Sequence, residues 1–152
     1  MYPFDTYPSG ENELKSRLRP ADNCRRGYGL DLQKRTGQTR CAYCGVSLVD
    51  DYYHWLLMAV DHVVPIQQAR KLVIPDELIG GLVNQVLCCS GCNGFRNRYA
   101  VADQPRDNWS LEEFIELRDR VFRDRTEVIA ARRVAEMVAF DRKEWEALRR
   151  AA

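Results

Sequence analysis

The chain has 152 residues, 45% of them hydrophobic, and a formal net charge of +1. This length favours one domain with an ordinary core, and no apolar run approaches the roughly 18 residues that a membrane span needs. The N-terminus lacks the basic and apolar regions of a secretory signal, so we expect a cytoplasmic protein with no membrane partner.

The first part of the chain is basic. Residues 1–20, rich in proline, serine, glycine and charge, predict an extended N-terminal arm. Residues 21–36 predict a short helix that ends at Gly37. Residues 15–40 carry a net charge of +6, which indicates either a phosphate-binding surface or a solvated helix face. The candidate DNA contacts in this segment are Arg25, Arg26, Lys34, Arg35 and Arg40.

Two short apolar runs follow. Residues 55–60 form an uninterrupted apolar run, which predicts a buried strand. A second strand is predicted around residues 83–87, and a helix is predicted from about Asn93. Residues 41–62 have a net charge of −3, so an acidic segment lies beside the basic one. Such an arrangement can place a cation site next to a phosphate-binding surface.

The last third of the chain, residues 107–152, predicts a helical extension. Ser110 and Glu113 have the spacing of a capping box before an apolar pattern of helical period. The helix runs to about residue 150, either continuous or broken near residues 124–127. From Leu111 onward it has ten basic and ten acidic residues, so it is not a DNA-gripping tail. Its apolar stripe either folds back on the N-terminal segment or pairs with a second copy to form a homodimer; the stripe contains Phe114, Phe122, Val128, Val134 and Trp145.

Four of the six cysteines form two Cys-x-x-Cys pairs. One tight turn can deliver two thiolates to zinc, and two such turns complete a closed tetrahedral site. The sequence therefore predicts one structural zinc ion, held by Cys41, Cys44, Cys89 and Cys92. Cys88 offers an alternative register but would break the spacing, and Cys24 is expected to be a lone thiol.

Polar residues of the types that phosphodiester hydrolysis uses lie between the two Cys-x-x-Cys pairs and directly after the second pair. Asp61 and His62 follow the first apolar run, Asn84 lies in the second predicted strand, and Asn93 comes directly after Cys92. A neutral imidazole can take a proton from water near neutral pH. A carboxylate and an amide oxygen suit a hard ion such as Mg²⁺, which keeps several waters and binds substrate oxygens.

With these residues the chain resembles the HNH nuclease family. The resemblance covers about residues 35–98, and its order and spacing are more specific than either Cys pair alone. It implies an α+β protein with a small ββα-metal core, placed at residues 21–106 and flanked by the basic helix and the C-terminal helical region. The matching strings are Cys41-Ala-Tyr-Cys44-Gly45, Asp61-His62-Val63-Val64-Pro65 and Asn84-Gln-Val-Leu-Cys-Cys89-Ser-Gly-Cys92-Asn93.

The resemblance also implies the roles of the site residues. His62 corresponds to the general base, Asp61 to a ligand of the catalytic metal, and Asn84 to the residue that supports the hairpin and orients the histidine. Asn93 takes the place of the final histidine and would be the second metal ligand. Because an amide replaces imidazole there, Mg²⁺ or Mn²⁺ is favoured over Zn²⁺ or Ni²⁺ as the catalytic ion. Arg96 and Arg98 follow as candidate phosphate contacts, or as a solvated helix face.

The sequence thus predicts an endonuclease that hydrolyses double-stranded DNA with one catalytic divalent metal ion and a histidine base. An alternative is a non-catalytic zinc module that binds nucleic acid or protein, which would keep the cysteines but would not need Asp61, His62 and Asn93 together. A third interpretation is a structural partner in a larger assembly that uses the C-terminal helix.

Overall fold

The structure, a computed structural model, describes residues 2–20, 22–24, 26–95, 100–141, 146, 149 and 150. It is an α+β protein with one two-stranded antiparallel sheet among the described residues. None of its described helices is both long and apolar enough to cross a lipid bilayer. The helices are α1 (Glu11–Lys15), α2 (Gly27–Thr36), α3 (Tyr52–Leu56), α4 (Ile66–Lys71), α5 (Asp76–Ile79), α6 (Ser90–Gly94) and α7 (Leu111–Phe140), with 3-10 turns at Pro3–Thr6 and Leu82–Asn84.

The prediction of an extended N-terminal arm is wrong. Residues 3–6 and 11–15 are helical, and Phe4, Leu14 and Leu18 are buried in the core. These apolar side chains outweigh the surrounding proline, serine and glycine because burying each of them removes apolar surface from water. Arg35 of α2 holds this segment by donating to the carbonyl of Glu13 (2.8 Å).

The two strands form the antiparallel pair β1 (Met58–His62) and β2 (Gln85–Cys89), in which Met58 lies opposite Cys89 and His62 opposite Gln85. Both strands begin later than predicted. Residues 52–56 are helical because Asp51 caps α3, accepting a hydrogen bond from the backbone N–H of His54 (2.9 Å). The second strand is preceded by a 3-10 turn at Leu82–Asn84.

Helix α2 covers one face of this hairpin. It begins at Gly27, six residues later than predicted, and ends as predicted at Gly37, whose φ of +72° suits a helix C-terminus. Gly29 allows the close approach of helix and sheet, since a Cβ there would lie 2.6 Å from the sulfur of Met58. The strand register places Met58, Val60 and His62 on this face.

Helix α7 packs against the other face and against the N-terminal segment. Its capping box is confirmed: Glu113 N–H donates to the Ser110 hydroxyl, and Ser110 N–H donates to the Glu113 carboxylate. The rings of Phe4 and Phe122 meet edge to face at 5.5 Å, and Arg118 lies 3.7 Å above the Phe4 ring. The stripe therefore folds back on the N-terminal segment through its first half.

Helix α7 is continuous across residues 124–127, so of the two alternatives the unbroken helix is the correct one. The last turns of α7 do not pack against the core, and large apolar side chains are exposed there: Val134, Met137, Val138 and Phe140. Trp145, predicted to extend the stripe, lies outside the described residues.

Candidate functional site

The two Cys-x-x-Cys turns meet. The four sulfur atoms of Cys41, Cys44, Cys89 and Cys92 all lie within 4.8 Å of one another. The first turn closes through a hydrogen bond from Gly45 N–H to the carbonyl of Cys41 (2.9 Å), with Gly45 at a φ of +73°. A cluster of four thiols at this spacing could hold a zinc ion with a closed coordination shell.

The structure separates the ligand candidates from the other two cysteines. The thiols of Cys41 and Cys92 make hydrogen bonds to the sulfur of Cys89 that lower the pKa of Cys89, and thiolate is the form that binds metal. Cys88 is fully buried, its S–H donates to the carbonyl of Ala59 (3.6 Å), and burial raises its pKa. Cys24 is partly exposed and does not belong to the cluster.

The cysteine cluster is attached to the hairpin. Ala42 N–H donates to the carbonyl of Leu87 in β2 (2.9 Å), and Ser90 N–H donates to the carbonyl of Leu57, just before β1 (2.7 Å). A metal ion in the cluster would therefore join the first Cys turn to β2 and would hold α6 at the end of that strand.

His62 ends β1 and is partly buried. Its Nε2 atom lies 3.2 Å from the side-chain nitrogen, Nε2, of Gln85, the residue opposite it in β2. Burial lowers the pKa of His62, Asp61 opposes this shift, and Arg125 adds to it. The imidazole is therefore neutral near pH 7, the protonation state that a general base requires.

Asn84 supports the loop that follows His62. It is completely buried, its side-chain oxygen accepts from Val64 N–H (2.8 Å), and its amide donates to the carbonyls of Val64 (3.0 Å) and Ile79 (2.9 Å). These hydrogen bonds connect the chain after β1 to the chain before β2. Such contacts suit the supporting role that the resemblance implies for Asn84.

Asp61 lies on the opposite face of the sheet from His62. Its Oδ2 atom accepts a hydrogen bond from the hydroxyl of Tyr43 (2.5 Å) and forms an ion pair with Arg125 (2.8 Å). Burial raises the pKa of Tyr43, so this phenol is a neutral donor. No described residue donates to the other carboxylate oxygen, Oδ1.

Arg125 of α7 is a site residue that the sequence interpretation missed. Its side chain is 2% exposed, and its Nη1 atom donates to the carbonyls of His62 (2.9 Å) and Val63 (2.8 Å). One guanidinium thus joins the Asp61 carboxylate to the backbone after β1. A signal was present, since Arg118 and Arg125 are seven residues apart within an apolar helix face, and both are buried.

Asn93 lies in α6, directly after Cys92, and is partly exposed. Helix α6 packs against both strands. The two candidate phosphate contacts that follow, Arg96 and Arg98, lie outside the described residues, as does Arg25.

The structure places the other predicted DNA contacts in four separate parts of the protein. Arg26 lines a cleft that also contains His62, and Lys34 is exposed on α2. Arg35 contacts the N-terminal segment, including the hydroxyl of Ser16 (2.5 Å). Arg40 donates to the carbonyl of Gly45 beside the first Cys turn (3.1 Å). Of these four residues, only Arg26 is placed beside the histidine.

Comparisons with protein-family models, with characterised proteins and with solved structures found no match to this chain.

Proposed function

We propose that this protein is a metal-dependent endonuclease that hydrolyses DNA phosphodiester bonds, built on an HNH-type ββα core with a structural zinc ion in the four-cysteine cluster. The observation that carries the proposal is the placement of His62. It is a neutral, partly buried histidine at the end of β1, next to a loop held by Asn84, in a hairpin attached to the cysteine cluster. The strand and the loop held by Asn84 limit the orientations of the imidazole ring, as general-base catalysis requires.

The proposed catalytic ion would be held by Asp61 and Asn93. Both contacts to Asp61 are made at Oδ2, so Oδ1 offers a carboxylate oxygen, and Asn93 offers an amide oxygen. This donor set is hard and suits Mg²⁺ or Mn²⁺. When bound, the ion would supply Lewis-acid stabilisation of the phosphate and the leaving oxygen.

The chain's own residues have distinct tasks in this scheme. His62 takes the proton from the attacking water. Arg125 holds the carbonyls of His62 and Val63, and Asn84 holds the backbone of Val64. Arg125 also places a positive charge beside Asp61. Because like charges repel, this guanidinium weakens cation binding at Asp61 until substrate phosphate adds negative charge. We therefore expect weak metal binding in the free protein and tighter binding with DNA.

A second candidate function is a non-catalytic zinc module that binds nucleic acid or protein. The specific observation in its favour is the same Asp61–Arg125 ion pair, because it already compensates the charge of the buried carboxylate. In this case Asp61 would be a structural residue, and His62 would need no metal partner.

Cleavage of supercoiled plasmid by zinc-loaded protein, with Mg²⁺ or Mn²⁺, separates the two functions. We expect nicking by the wild type and a roughly 10²- to 10⁴-fold slower rate for His62→Ala, since a general base contributes a rate factor of this size. His54→Ala is the matched control, because His54 is a partly exposed histidine paired with Asp51 at 2.7 Å. It should cut within a few-fold of wild type.

Zinc content and melting temperature should be nearly equal in the wild type and His62→Ala. A wild type that contains zinc and binds DNA, but cleaves with neither ion, would favour the non-catalytic module. Equal cleavage rates for His62→Ala and His54→Ala would show that His62 is not the general base.

A further inference from the structure

We propose that the surface in front of His62 binds an unpaired nucleic-acid strand, with one base stacked on Tyr28 and the backbone phosphates held by Arg17, Arg26 and Arg70. The inference rests on the proposed function for the role of His62, and it names the substrate class of that site. It differs from the duplex expected from the sequence.

Two adjoining clefts meet at this surface, with volumes of about 260 Å³ and about 410 Å³. Leu18, Tyr28, His62 and Gln85 line both of them. The clefts therefore form one open groove, which we call the His62 groove, and a chain passing along it would cross both Tyr28 and His62.

Tyr28 is placed as a stacking surface. It lies in the first turn of α2, between the buried residues Gly27 and Gly29, yet it is 54% exposed. An aromatic ring stacks on any base through its π-face and therefore binds single strands without strong sequence preference. In an intact duplex both faces of each base are already occupied by neighbouring bases. Tyr28 can accept a base only from an unpaired or displaced strand.

The charge of the groove suits a phosphate backbone. Arg17 and Arg70 line one cleft and Arg26 lines the other. None of the three forms an ion pair with a described residue, and Asp76 is the one acidic side chain among the described lining residues. Arg17 and Arg70 suit phosphate oxygens through the paired hydrogen bonds that a guanidinium group makes. Arg26 donates from Nη2 to the carbonyl of Leu56, and its Nε is buried, so it offers Nη1 and its positive charge.

Two polar atoms in the wall of the groove lack a hydrogen-bond partner among the described residues. They are the side-chain oxygen of Gln85 and Nε of Arg26, and both are buried. Buried polar atoms are normally paired with protein or water. Both atoms are closed to solvent in this structure, so they show that the fold leaves polar groups behind the groove unpaired, and they are not themselves contacts for the nucleotide.

The test is a binding measurement by fluorescence anisotropy, made with Mg²⁺ in the His62→Ala background, where cleavage is too slow to consume the probe during the measurement. The probes are a labelled single-stranded oligonucleotide, its blunt duplex, and the same single strand carrying abasic positions. The variants are Tyr28→Ala, Tyr28→Phe and the control Tyr53→Ala. Tyr53 is 77% exposed on α3 and does not line the groove.

We expect tighter binding of the single strand than of the duplex. Tyr28→Ala should weaken single-strand binding by about 5- to 150-fold, which corresponds to the loss of one stacked base. Tyr28→Phe should stay within about three-fold because the ring is kept, and Tyr53→Ala should behave like the parent. Abasic positions should reproduce the loss seen for Tyr28→Ala.

Equal single-strand affinities for Tyr28→Ala and Tyr53→Ala, in variants of equal zinc content, would overturn the inference, as would preference for the duplex or failure to bind either probe. The plasmid assay tests the proposed function separately. Tyr28-dependent binding in a protein that never cleaves would leave the groove assigned and refute the nuclease. Cleavage without Tyr28-dependent binding would support the nuclease and refute the assignment of the His62 groove.

Discussion

Replacing Arg125 by methionine should strongly destabilise the protein. Arg125→Met keeps much of the side-chain length but removes the partner of Asp61. Asp61 is only 9% exposed, so its carboxylate would remain as a buried, uncompensated charge. Breaking a buried ion pair from one side costs about 3–5 kcal/mol. The carbonyls of His62 and Val63 also lose their guanidinium donor. Because a domain has about 5–15 kcal/mol of total stability, a large share of it is at risk.

Urea unfolding followed by circular dichroism, with zinc saturated throughout, measures this change. At a slope of about 2 kcal/mol per molar urea, the midpoint should fall by about 2 M. The matched control is Arg132→Met on the same helix. Arg132 is 61% exposed and pairs with Glu136 at 3.1 Å, so its loss should change the free energy of unfolding by less than about 0.5 kcal/mol.

A double-mutant cycle tests the electrostatic reasoning. Asp61→Asn combined with Arg125→Met removes both charges, while the Tyr43 hydroxyl can still donate to the new amide oxygen. The double variant should be more stable than the sum of the single losses predicts, by about 1–3 kcal/mol. A single Arg125→Met loss below about 1 kcal/mol, or strict additivity in the cycle, would refute the account of this ion pair.

Four other variants test the cysteine cluster, the loop after β1, the catalytic ion and the end of α7. Cys41→Ser should lose zinc and lower the melting temperature, because metal binding in such clusters is coupled to folding; wild-type protein purified without chelator that contains no zinc, by elemental analysis, would contradict this. Asn84→Ala should cost about 2–4 kcal/mol in urea unfolding while zinc is retained, since three buried hydrogen bonds are lost; a loss under 1 kcal/mol would count against the support of the loop. Asn93→Ala should slow plasmid cleavage, and raised Mn²⁺ should partly restore it; an unrescued loss in folded protein leaves the ligand assignment without support. If copies pair through the exposed end of α7, Val134→Glu should convert dimers that cut both strands into monomers that nick; by light scattering, a strict monomer that linearises plasmid without nicked intermediates would break this link.

The sequence was most informative where spacing alone determines geometry. Two Cys-x-x-Cys turns predicted the cluster of Cys41, Cys44, Cys89 and Cys92, and the capping box at Ser110 predicted the start of α7. Both signals are local, because each depends on backbone geometry within a few residues. The prediction of an α+β protein was also confirmed.

Features that depend on tertiary contacts were predicted poorly. Gly27 and Gly29 weaken the helical pattern of α2, yet both are buried, and Gly29 makes room for Met58. In the sequence, Arg125 is one of many acidic and basic residues on α7 whose charges balance, as is usual for a solvated helix face. Nothing in the local pattern shows that its partner is a carboxylate 64 residues earlier. Burial of an arginine is decided by that distant partner.

The contacts of α7 also determine when the site can be assembled during synthesis. Arg125 donates to the carbonyl of His62 across 63 residues of sequence, so the loop after β1 reaches its final form only after α7 has left the ribosome. Contacts this distant in sequence form slowly because closing a long loop costs conformational entropy. A nascent chain that ends before α7 has both Cys turns and the hairpin but not the buried guanidinium. Truncation at residue 106 should therefore remove part of the folding unit itself, which includes α7 at least as far as the buried residue Ile129.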